Sequence, residues 1–334
     1  MKKYIRVAWG LLMCGLCIQT AQSQSELTVS LGAGSSTLNY QTDYGKSKSG
    51  SGGALGVGYS YFFSRTVGIS LGLEAEMFNS SVDMGTVAFD QAIPAPAGLL
   101  GHFSLQANYA GLKEKQTAVV LQIPVMLQFQ FPVGDQTALF VGAGVKAGFP
   151  VSSKWNQSAD RLTTTGYSDY TGQHYTDMPN HGFSTYSTIS ASGKLELKSP
   201  VMLALEGGLK FGIGEGKALY AGIFLDYGLS DMYKAAAANT PLLVYNNAPS
   251  VTYSYNSVLA TNHYSASGGI KPFAVGLKIK MGFGSGNMAK PNKAEKVEKP
   301  VNPVKKTEKP VNPVKKTEVS KKQKTEQKIV PVGD

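Results

Sequence analysis

Residues 118–151 read AVVLQIPVMLQFQFPVGDQTALFVGAGVKAGFPV. In the first arm Val119, Leu121, Ile123, Val125, Leu127, Phe129 and Phe131 share one face. Val120, Gln122, Pro124, Met126, Gln128 and Gln130 share the other. The second arm sets Leu139, Val141, Ala143, Val145, Ala147 and Phe149 against Phe140, Gly142, Gly144, Lys146 and Gly148. A short turn around Pro132, Gly134 and Gln136 joins them. Alternation with a period of two predicts a hairpin whose strands each have one apolar face. Glutamine, glycine and lysine on the opposite face make a poor globular core. An apolar outside around a polar inside is the pattern of a transmembrane β-barrel. A soluble β-sandwich also alternates, so the rest of the chain has to decide.

Six further segments repeat the pattern. Leu27–Ala33 and Leu55–Phe63 form strands one and two; Val67–Met77 forms strand three. The hairpin supplies strands four and five. Leu203–Ile213, Leu219–Tyr227 and Phe273–Phe283 complete the set. The reading is all-β: an eight-stranded antiparallel transmembrane β-barrel. Apart from Leu27–Ala33, which is shorter as drawn, each strand meets the roughly 9–11 residues that a membrane strand needs. None of the apolar faces carries a charge, and a basic residue there would cost about 2–4 kcal/mol at mid-membrane. Connections alternate in length. The turns around Arg65, Gly134 and Glu215 are short, and the other connections are long, as in barrels with short periplasmic turns and long extracellular loops. Phe103, Leu105, Ala107 and Tyr109, and also Leu195 and Leu197, alternate within those long stretches. They read as strands continuing beyond the membrane. Trp155 and the loop tyrosines 167, 170, 175, 186, 245, 253, 255 and 264 read as a solvated surface with an aromatic girdle. The rival reading of those aromatics is an adaptable binding surface.

The inward faces hold four acids (Glu74, Glu76, Glu206 and Asp226) and four bases (Lys146, Lys210, Lys278 and Lys280). Equal numbers predict paired charges, because an unpaired ion in a narrow lumen is costly. The barrel is therefore expected to be closed.

Net charge is +10, but its distribution matters more than its size. Lys2, Lys3 and Arg6 open the chain, ahead of an apolar run and Ala21-Gln22-Ser23. Residues 1–23 are thus expected to be a secretory signal peptide. Its Cys14 and Cys17 are the only cysteines, so a mature chain would have no thiols. Residues 287–334 carry 13 lysines against six acids, and KPVNPVKKTE occurs there twice. Proline, lysine and few large apolar residues predict a disordered tail, placed in the periplasm after an even number of strands. Residues 24–286, the expected barrel, hold 16 basic and 16 acidic residues, which gives no electrostatic reason to bind nucleic acid.

The arms LQIPVMLQFQF, LFVGAGVKAGF, LYAGIFLDYGLSDM and KPFAVGLKIKMGF resemble those of the outer-membrane β-barrel domains of the Bacteroidetes, which are OmpA-type eight-stranded barrels. The resemblance implies an integral protein of the Gram-negative cell envelope. Its surroundings would be outer-membrane lipid and lipopolysaccharide, with the barrel-assembly machinery as partner during insertion. OmpA-like relatives often continue into a peptidoglycan-binding domain. Here only the lysine–proline tail follows, so weak contact with peptidoglycan or acidic polymers is expected.

No catalytic or cofactor-binding constellation stands out. Asp231, His263 and Ser265 assemble into one only on paper. His174 and His181 share a loop with Asp169 and Asp177 but lack tight ligand spacing. Gly56/Gly58 and Gly142/Gly144 lie mid-strand with no following helix, so they line a barrel and do not cradle phosphate. The expected role is structural or surface-interacting. A small-solute porin and an outer-membrane enzyme with a loop-rim site are the alternatives.

Overall fold

A computed structural model describes residues 24–284, except 97, 215, 235–239, 248–249, 262 and 266–267. The expected leader, and the tail at 287–334, lie outside the described residues. Eight strands build the fold: β1 (Gln24–Asn39), β2 (Lys48–Phe62), β3 (Val67–Ile93), β4 (Phe103–Pro132), β5 (Thr137–Ser168), β6 (Val201–Gly214), β7 (Lys217–Gly228) and β8 (Lys271–Gly284). Each pairs antiparallel with its neighbours in the chain, and β1 pairs with β8, so the sheet closes on itself.

The register fixes the geometry of closure. From Val125 the pairing passes one way through Leu71, Tyr59 and Leu27 to Phe283 of β8. The other way it passes through Val145, Leu203 and Tyr227 to Phe273 of the same strand. The two arrivals differ by ten residues along β8, from 273 to 283. A stagger of that size around eight strands requires a tilt of roughly 40°. Such a barrel is just wide enough to be filled by its own side chains. Glycines help where strands crowd. Gly34 and Gly276 face each other across the closing seam, and a Cβ on Gly34 would lie 2.2 Å from the Val275 carbonyl oxygen.

Facing follows the alternation in all eight strands. Leu31, Leu55, Leu71, Leu127, Ile223 and Leu277 point outward and are exposed, the last at 68%. Together with their neighbours they form a belt around the barrel. Among the described residues no helix is long and apolar enough to cross a membrane. A charge placed in the belt tests its role. Val125→Arg should disfavour insertion by about 2–4 kcal/mol, read as a lowered folding midpoint in bilayers; the same change at inward Val120 should act through packing and be independent of lipid thickness.

At the end with long connections the strands continue past the belt, as the alternation of Phe103, Leu105, Ala107 and Tyr109 predicts. Strands β3, β4 and β5 run 27, 30 and 32 residues, far beyond the belt. The β3–β4 pairing continues up to Ile93 and Phe103. The outer half of β5 exchanges β6 for a separate strand, Thr185–Lys194. Leu195 and Leu197 follow that strand and do not extend β6; Leu197 bridges to Tyr233. Above the belt the sense of the alternation reverses. Apolar side chains now point inward, and Phe78, Tyr109, Leu112, Leu162 and Phe183 form a buried core. The connection 229–270 fills it with Leu242, Leu243, Val258, Leu259 and Ile270. This corrects the aromatic-girdle expectation. Trp155, Tyr245 and Tyr264 are buried in this second storey, while Tyr170 remains 73% exposed. The reason is the surroundings: beyond the belt the outer face meets water, so the hydrophobic effect drives apolar groups into the barrel.

Candidate functional site in the barrel lumen

Inside the belt the polar faces converge on a charged network. Lys146 of β5 lies between two carboxylates, with Nζ 2.6 Å from Glu74 Oε1 and 2.6 Å from Asp226 Oδ2. Glu74 uses its second oxygen to accept from Lys278. Lys280 donates to Glu206. The ammonium groups also sit over rings, Lys278 over Phe224 and Lys280 over Phe140. All eight residues singled out in the sequence therefore point into one lumen.

The balance, however, is not equal. Glu26, near the start of β1, is buried as well. Its Oε2 accepts from Lys210 Nζ at 2.8 Å and from the Tyr220 hydroxyl at 2.8 Å. Among the described residues at the level of the belt, that makes five acids against four bases. The surplus falls at Glu76, which accepts from Gln122 Nε2 at 2.7 Å and makes no ion pair among the described residues. Glu74, Glu76 and Asp226 each bring a carboxylate oxygen within 4.8 Å of the others. Lys146 and Lys278 are the cations that hold the cluster. Its chemistry is internal neutralisation at Glu74 and Asp226, which have ammonium partners, while Glu76 has only the Gln122 amide.

The space beside this network is small. A void of about 50 Å³ is bounded by Ser30, Glu74, Gln128, Lys146, Phe224 and Lys280. A buried water requires about 10–15 Å³ of such space, so a few waters fit and a sugar does not.

A second polar centre closes the barrel above the belt, and sequence reasoning missed it. In the run Lys113-Glu114-Lys115 the two lysines face solvent and Glu114 is 0% exposed. Its carboxylate accepts four hydrogen bonds: from Gln116 Nε2 at 2.8 Å, Gln157 Nε2 at 3.0 Å, Ser257 Oγ at 2.6 Å and the Val258 amide at 2.9 Å. Gln116 in turn accepts from the hydroxyls of Tyr40 and Ser80. Burial pushes the Glu114 carboxyl above its ordinary range, and the four donors oppose that shift. Ser257 and Val258 belong to the 229–270 connection. Glu114 thus pins that connection into the mouth of the barrel.

The residues considered for catalysis are not brought together. Asp231 Oδ1 accepts from the amides of Tyr233 and Ile270. His263 Nδ1 lies 3.8 Å from Asp43. His174 packs against Tyr167. Among the described residues neither His174 nor His181 joins a group with metal-binding spacing.

No family model matches the sequence, and no curated protein matches it. Among solved structures the chain is similar to Neisserial surface protein A (9% identity, 78% of this chain and 98% of that one, TM-score 0.28). It is also similar to Ail, the attachment invasion locus protein of Yersinia pestis (11% identity, 78% and 98%, TM-score 0.24). A third similarity is to the translocator domain of the autotransporter NalP from Neisseria meningitidis (10% identity, 84% and 95%, TM-score 0.20). Likenesses this distant carry nothing about activity. The barrel assignment stands on the chain's own closed strand pairing.

Proposed function

We propose that this chain is an integral protein of an outer membrane, non-enzymatic, with a structural or surface-interaction role. The observation that carries the reading is an exposed apolar belt wrapped around an ion-paired, nearly filled lumen. A soluble protein would bury the belt, since exposed apolar patches on monomers seldom exceed a few hundred Å². A transporter would keep its polar interior open. The storey beyond the belt is the part available to partners, and its long connections support an extracellular position for it. An OmpA-type relationship fits the strand count and supports the same location.

Two measurements test this. The protein should fractionate with outer membranes and migrate differently on a gel before and after boiling; recovery from the soluble periplasm would reject the reading. In planar bilayers it should show no large, steady conductance. Stable channels passing sugars would establish a porin instead.

A further inference from the structure

The outer wall of the barrel carries a basic groove where the belt gives way to the second storey. Lys154 of β5 and Lys194 of the strand Thr185–Lys194 are direct cross-strand partners, and both are exposed. Like charges placed directly opposite destabilise a sheet. The pair borders a groove of about 450 Å³ whose lining also includes Val151, Leu195, Leu197 and Lys234. The only acid in that lining is Glu196, and its carboxylate is already 2.6 Å from Lys234 Nζ. Three lysines and one glutamate leave two positive charges without an anion from the groove itself. Val151 is 61% exposed and follows Phe149, the last belt residue of its strand, by two positions. The groove therefore opens at the level where lipid headgroups begin.

We propose that this groove binds the phosphate-bearing headgroup of a membrane lipid. A phosphomonoester carries about −1.5 to −2 charge and three strong acceptor oxygens, which matches the surplus of two. Lys154 and Lys194 supply the donors, as compact point charges suited to phosphate. Val151, Leu195 and Leu197 supply an apolar wall for the part of the lipid nearest the acyl chains. The lipid anion relieves a repulsion that the sheet register imposes. A free anion would use the lysines and gain nothing from the wall.

The inference rests on the membrane reading above, and the test separates the two. Full-length protein is placed in nanodiscs of phosphatidylcholine containing either bis-phosphorylated lipid A or its dephosphorylated form. Heat-modifiable migration first confirms insertion in every sample, and failure to insert rejects the membrane reading itself. After detergent extraction the co-purifying glycolipid is counted. The wild type should retain the phosphorylated form at least about tenfold over the dephosphorylated one, as expected for two charge-assisted hydrogen bonds. The double variant Lys154→Gln/Lys194→Gln should lose that preference. Lys46→Gln/Lys48→Gln, on a different part of the wall, should keep it. Inserted wild type without a preference, or equal loss in both variants, overturns the site. Complete displacement by millimolar inorganic phosphate would also overturn it, in favour of a free-anion site.

Discussion

Lys146→Met should destabilise the barrel by about 3–5 kcal/mol, the usual result of removing one partner from a buried ion pair. Lys146 bridges Glu74 and Asp226, and a third carboxylate, Glu76, lies within 4.8 Å of both. Without the ammonium group three acids would share a nearly dry lumen with only Lys278 beside them. The thermal midpoint of heat-modifiable migration in detergent should fall sharply. Glu74→Gln should also be costly, because that carboxylate bridges two lysines. Glu76→Gln should behave oppositely. Its removal leaves Glu74 and Asp226 against Lys146 and Lys278, a balanced set, so stability should be unchanged or higher. A marked loss in Glu76→Gln would show that the surplus charge is compensated by something other than these side chains.

Glu114→Ala should release the 229–270 connection from the mouth while the belt stays inserted. The change strands four donors, two glutamine amides, a serine hydroxyl and a backbone amide, at on the order of 1–3 kcal/mol for each left unpaired. Limited proteolysis should then cut within 229–270 in the variant and spare it in the wild type. Glu114→Gln keeps the shape and one acceptor, so it should lie between the two. The pH response has a definite sign. Because the folded-state value is raised, the folded protein takes up the proton more readily than the unfolded chain. Docking is therefore strongest at pH below the ordinary carboxylate value and weakens as pH rises through the folded value. Glu114→Gln should flatten that dependence. Equal protease resistance of Glu114→Ala and wild type would remove Glu114 as the anchor.

The belt was legible in the sequence because lipid and a filled lumen impose opposite demands on alternate residues, and β-strands have a period of two. One residue was lost at an edge. Glu26 precedes Leu27, the first outward apolar residue, so a strand drawn from the apolar positions begins one residue late and misses an inward acid. The inward core of the second storey was missed for a different reason. Phe103, Leu105, Ala107 and Tyr109 alternate as clearly as the belt residues do, but periodicity does not say which face is inside. Only the change of solvent at the end of the belt decides that. Lys113-Glu114-Lys115 illustrates the difficulty: three consecutive charges read as a solvated face, and the pleat sends the middle one into the core. The carboxylate's partners, Gln157 and Ser257, lie far along the chain and leave no local signal.

The seam between β1 and β8 also sets an order of events. Every other pair in the barrel joins consecutive strands, and three of those pairs are linked by turns of a few residues. Such hairpins zip locally and quickly. The seam instead joins Glu26 to Gly284, nearly the whole described chain apart. Its loop-closure entropy is the largest of any pair, so it should form last. Until then the half-built sheet presents two raw edges, each a template for another strand. Glu26 lies on the seam, and its partner Lys210 comes from β6, across the lumen. Their ion pair can form only once the cylinder is shut, which makes it a latch on the completed barrel: breaking it should speed reopening more than it slows assembly.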